Sequence, residues 1–133
     1  MMTDDQNHVL SVFEQLKDLL TPYYAGLEIH QDKEDSILLS TRFIMKNNQP
    51  LFFAAIQKKA HHVSFHLMPV YVEPILMLDV TPELKRRMEG KSGFIFESLT
   101  PELVSQLSRL VELGYRSFQQ QGYVEQSPNL RLQ

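Results

Sequence analysis

The feature that most constrains this chain is a change of hydrophobic period, from helical to strand-like and back to helical. Val9, Phe13, Leu16 and Leu20 recur at the spacing of one buried helix face, which predicts a helix over Thr3 to Tyr24. Thr3, Asp4 and Asp5 offer cap oxygens and negative charge at its start, and Gly26 marks its stop. From Leu27 the period drops to two. Leu27 and Ile29 alternate with Glu28 and His30. After the turn DKED, Ser36 to Met45 sets Ile37, Leu39, Thr41, Phe43 and Met45 on one face. Leu51 to Gln57 is apolar on both faces, as a central strand is. His61 to Met68 alternates again, with Val63, Phe65 and Leu67 opposite His62, Ser64, His66 and Met68. The connections are short, which favours an antiparallel meander.

Pro69 and Pro74 end the strand run and bracket an irregular or one-turn segment. The string Thr-Pro-Glu-Leu then occurs twice, at Thr81 and at Thr100. In each, Thr supplies the cap, Pro the first turn and Glu the charge suited to the helix dipole. The first of these helices is expected to end by Gly90, and Phe94 to Phe96 to form a short fifth strand. The second helix carries the stripe Leu103, Leu107, Leu110, Gly114 and Phe118. The expected fold is therefore α+β, an antiparallel sheet of about five strands with N- and C-terminal helices packed on one face. Residues 1–121 are read as a single domain and 122–133 as a polar C-terminal tail.

Charge and composition narrow the function classes. The formal net charge is -3, which disfavours nucleic acid as a partner. There is no Cys, so disulfides, thiolate metal sites and cysteine nucleophiles are excluded. The first residues, MMTDDQNH, are acidic where a signal peptide is basic, and no apolar run approaches the ~18 residues of a membrane span. A soluble cytoplasmic protein without a membrane partner is expected.

No catalytic pattern stands out. On a strand, His62 and His66 share a face but lie ~13 Å apart along the chain, too far to close readily on one ion. Ser64 sits ~6.6 Å from each and lacks a nucleophile elbow. Gly90-Lys91-Ser92 resembles the end of a phosphate loop, but the upstream Gly is Lys85 and the order of elements is reversed. Lys85, Arg86, Arg87 and Lys91 place four cations within seven residues, near backbone amides of a glycine-flanked turn. A solvated helix end is the plain reading of that cluster and an anion site the sharper one. The acidic residues Asp4, Asp5, Glu14, Asp18, Glu28, Asp32, Glu34 and Asp35 are dispersed. They read as solvated surface, or as a weak hard-cation surface.

The string Val63-Ser64, His66 to Tyr71, Pro82 to Met88, Gly90-Lys91-Ser92 and Phe94 resembles the YdhG-like domain-of-unknown-function family. That family is similar to the frataxin-like, YjbR/CyaY-like fold. The resemblance implies a terminal helix, an antiparallel sheet and closing helices. It brings no catalytic residues, and through relatives proposed as iron chaperones it implies metal handling as a possible activity.

The leading expectation is a non-enzymatic binding module with no cofactor and no bound metal. Its site would combine the sheet face of His62, Ser64 and His66 with the basic segment. Arg87 and Lys91 would supply charge, and Ser92 with nearby amides would supply donors. The ligand would be a small anion or an acidic protein segment. The alternative is an intracellular iron- or metal-handling protein of frataxin-like type acting through surface carboxylates, and an enzyme ranks third.

Overall fold

The computed structural model describes residues 4–125, with side chains from residue 7 onward. The proposed Thr3 cap, the side chains of Asp4 and Asp5, and residues 126–133 of the expected tail lie outside that description. Helix α1 (Asp4–Leu20) buries Val9, Val12, Phe13, Leu16 and Leu20. It tightens into a 3-10 turn over Thr21–Gly26 with Pro22 near its start, so the regular helix stops short of Tyr24. Four strands follow as an antiparallel meander: β1 (Glu28–Asp32), β2 (Ser36–Ile44), β3 (Pro50–Lys58) and β4 (Val63–Leu67). Beyond β4 come the short helix α2 (Met68–Val72), a 3-10 helix over Pro74–Asp79, and the single turn α3 (Pro82–Lys85). Strands β5 (Met88–Glu89) and β6 (Gly93–Phe96) form a hairpin, and α4 (Pro101–Gln120) closes the fold. The sheet order is β1-β2-β3-β4-β6-β5.

The fold is α+β with an antiparallel sheet, as expected; of its six strands, one more than the five read from the sequence, the extra one replaces a helix end. The helix opened by Thr81 was expected to reach towards Gly90, but α3 stops at Lys85. Met88 pairs with Phe94 and Glu89 with Gly93, while the Ile95 amide donates to the Arg87 carbonyl at 2.8 Å. Gly90, at φ 71°, makes the left-handed bend that lets Gly90 to Ser92 turn the chain back. A left-handed residue there is incompatible with a continuing α-helix, and the ladder to β6 takes up backbone groups the helix would have used.

In β4, Val63, Phe65 and Leu67 are fully buried while Ser64 and His66 are half-buried on the other side of the sheet. Met68, expected at the end of that strand, is instead the first residue of α2. Helix α1 packs against β3, β4 and α4, so the terminal helices share the Phe65 side. The buried stripe of α4 is Leu103, Leu107, Leu110, Val111, Gly114 and Phe118. A Cβ on Gly114 would approach the Pro69 ring within 3.0 Å, so the glycine permits α4 to lie close on α2.

Strand β2 departs from simple alternation. Its pairing jumps from Leu39 with Ala54 to Ser40 with Phe52, leaving Phe53 of β3 as the extra residue of a bulge, and then to Ile44 with Pro50, so that β2 carries the extra residues between Ser40 and Ile44. Ser40 and Thr41 are consequently both buried, and Phe43 emerges exposed. Thr41 Oγ1 donates to the Leu51 carbonyl at 2.7 Å and accepts from the Phe43 amide at 3.2 Å, so the buried hydroxyl is satisfied. Packing continues past α4: Tyr123 lies tilted against Phe43 and edge-on to Phe118 at ring distances of 4.7 and 5.3 Å, and Val124 is buried.

Candidate functional site

The expected site residues fall in separate places. His62 precedes β4, its carbonyl accepting from the Lys59 amide at 2.8 Å. Ser64 and His66 stand on the sheet side opposite α1 and α4. The cross-strand row through His66 contains Ala55, Gly93 and Glu89. The His66 ring lies over Gly93, where an added Cβ would be 2.7 Å from Cε1. Ser92 sits in the β5–β6 turn and its carbonyl accepts from the Leu67 amide at 2.9 Å.

Arg87 and Lys91 are not one helical turn apart, because β5 and the bend at Gly90 lie between them. Arg87 Nη1 donates to the Glu83 carbonyl at 2.8 Å, which caps the C-terminal end of α3. Arg87 lines a hollow of about 500 Å³ with Arg86, Met88, Ile95, Glu97 and Ser98. Glu97 supplies a carboxylate in that hollow, which offsets its cations. Lys91 belongs to a different concavity.

That second concavity is a groove of about 540 Å³. Val70, Tyr71, Pro74 and Met77 form one wall, and Lys85, Met88, Gly90 and Lys91 the other. Its size is within the ~300–1,000 Å³ of small-ligand sites. Two ammonium groups stand among its lining residues and no carboxylate does. Lys91 Nζ lies 5.8 Å from the centre of the Tyr71 ring, a cation–π distance that draws the lysine towards that wall. The 3-10 geometry explains the apolar wall. At three residues per turn, positions i and i+3 eclipse. Pro74 and Met77 therefore form one row into the groove, Leu76 turns to the core, and Ile75 and Leu78 form a third row outward.

Sequence reasoning missed this groove. Tyr71 and Met77 lie where the sequence has no period, Met88 reads with Leu84 as an anchor of the helix opened by Thr81, and Lys85 reads as an outward cation of that helix. The available signal was the pair Pro69 and Pro74, which set a short non-sheet segment beside the basic cluster.

Another close pair, His30 and Ser40, was also unforeseen. His30 Nε2 lies 2.6 Å from Ser40 Oγ across the β1–β2 bulge. Ser40 Oγ also lies within donating distance of the Thr41 carbonyl, at 3.1 Å. With 2% exposure, Ser40 also offers no approach to a substrate carbonyl. The pair locks β1 onto β2.

Among the described residues, no three His, Asp or Glu side chains converge on a point that could hold a metal ion. Metal handling through surface carboxylates thus finds no assembled donor set there. Among the same residues, no helix is long and apolar enough to cross a membrane. The tyrosines whose pKa departs from the ordinary value lie away from the groove. Burial raises Tyr23, Tyr24 and Tyr115, with the Glu112 charge adding to the effect on Tyr23 and Asp32 to that on Tyr24. Compared with family models, with curated proteins and with solved structures, the chain matches none.

Proposed function

We propose that this chain is a non-enzymatic binding module whose site is the groove between the α2/3-10 segment and the β5–β6 hairpin. Its ligand is an anion that carries an apolar group. The observation behind this reading is the lining of the groove: Val70, Pro74 and Met77 of one wall and Met88 of the other give it apolar surface, with Lys85 and Lys91 beside Met88. An apolar body in the groove would release water from those side chains. An anionic head would gain charge-assisted hydrogen bonds from the lysines and neutralise two like charges. Arg87 has its own carbonyl partner and Ser64 and His66 are not among the walls, so Lys91 alone of the expected residues contributes directly.

Calorimetry with octanoate tests this. Saturable binding is expected, weakened about tenfold or more, ~1.4 kcal/mol, by the combined variant Lys85→Glu, Lys91→Glu. Octylammonium should bind far more weakly than octanoate. Equal binding of the two ions, or octanoate binding indifferent to the double variant, contradicts the reading.

A further inference from the structure

The apolar surface does not stop at the groove's rim. Among the described residues, Tyr71, Ile75 and Leu78 are large apolar side chains with 53%, 62% and 83% of their surface exposed. All three lie on the segment that forms one wall of the groove. The row of Ile75 and Leu78 stands about a third of a turn from the row of Pro74 and Met77, and Ile75 also borders a hollow with Leu113 and Arg116 of α4, so the ridge adjoins the groove along the same segment. An anion small enough for the groove would leave that ridge in water. Large apolar side chains this exposed beside a groove mark a contact with something larger.

We infer that the natural occupant is an acidic protein segment that spans both features, a deepening that rests on the groove being the site. One large apolar side chain of the segment enters between Tyr71 and Met88. Flanking carboxylates meet Lys85 and Lys91, and a second apolar residue covers Ile75 and Leu78. The charge pattern favours such a segment over an anionic bilayer. The groove lining holds cations only, but Glu73, Asp79, Glu83 and Glu89 border it in sequence and Asp79, Glu83 and Glu89 are exposed. A flat anionic surface would bring its charge against those carboxylates as well as the lysines. A narrow segment can address the lysines alone. Such recognition places an apolar anchor in a pocket and uses charge to fix register.

The test selects twelve-residue peptides from a displayed random library against the full chain. The affinities of the selected peptides are then measured for wild type, for Leu78→Asp and for the double variant Lys85→Glu, Lys91→Glu. Thermal melts check that each variant folds. Octanoate and vesicles of three parts phosphatidylcholine to one part phosphatidylserine are run in parallel. The selected peptides should combine acidic residues with at least one large apolar residue. Leu78→Asp should weaken them about tenfold or more while leaving octanoate unchanged, and the double variant should weaken both. Octanoate binding with no selectable peptide overturns the protein-segment inference and leaves the groove reading standing. Peptides that bind the double variant as well as wild type overturn the inference too. Vesicle binding that depends on Leu78, without peptide binding, assigns the strip to a lipid surface instead. Failure of both peptide and octanoate overturns both readings.

Discussion

At Gly93 the sheet has no room for a side chain. A Cβ there would meet His66 Cε1 at 2.7 Å and the Glu89 carbonyl oxygen at 2.8 Å. The imidazole can swing aside, but the carbonyl is fixed by the β5–β6 ladder. Gly93→Ala should therefore destabilise the protein by about 1–3 kcal/mol, and adding His66→Ala should recover only part of that. Urea unfolding of the single and double variants measures it, and full recovery in the double variant would show that His66 alone sets the constraint. The two threonine caps make a second comparison. Thr81 Oγ1 accepts from the Leu84 amide at 3.2 Å and also donates to Gln106 Oε1 at 2.6 Å, tying α3 to α4. Thr100 Oγ1 accepts from the Leu103 amide at 3.2 Å. Each cap contributes about 1 kcal/mol, and the added bond should make Thr81→Ala cost roughly 0.5–1.5 kcal/mol more than Thr100→Ala. Equal losses would mean the Gln106 bond adds nothing.

At the scale of elements, the readable parts were those with a period. Val9, Phe13, Leu16 and Leu20 mark α1, and both Thr-Pro-Glu-Leu starts cap real helices. The alternation in β4 puts Val63, Phe65 and Leu67 under the helices as the sequence implies. What lacked a period was not readable. Two residues of β5 cannot show alternation, so Arg86 to Glu89 looked like the rest of a helix. The bulge at Phe53 shifts β3 by one position, and a second irregularity between Ser40 and Ile44 shifts β2, which no local pattern announces. The groove was hidden for another reason. Its walls come from residues 70–77 and 85–91, and each apolar residue taken singly reads as core. Only the folded hairpin sets Met88 opposite Met77 and separates Arg87 from Lys91.

Across the whole molecule, a tyrosine-rich layer joins the turn after α1 to β3 and α4. Tyr23 lies 4.7 Å from the Tyr115 ring, and Tyr115 meets Phe53 edge-on at 5.6 Å. Burial raises the pKa of Tyr23, Tyr24 and Tyr115 above 10.0. A phenol whose folded pKa is raised favours the native state while it stays protonated. That stabilisation is complete below the unfolded value and is lost as pH rises through the folded values. Melting temperature should thus hold steady up to about pH 9 and fall from about pH 10 upward, and Tyr23→Phe should lessen the fall. A slope unchanged by Tyr23→Phe would remove that residue from the account. The proposed groove lies at the other end of the sheet, where a chain of net charge -3 gathers Lys85 and Lys91 beside apolar side chains. The most direct measurement is an NMR titration of isotope-labelled protein with octanoate at moderate salt. Amide shifts at Tyr71, Met77, Met88, Gly90 and Lys91 should saturate together, while those of Ser64 and Glu97 stay in place. Shifts concentrated on the open face at Ser64 and His66, or in the hollow at Arg86 and Ser98, or no shifts at all, would contradict the groove as the binding site.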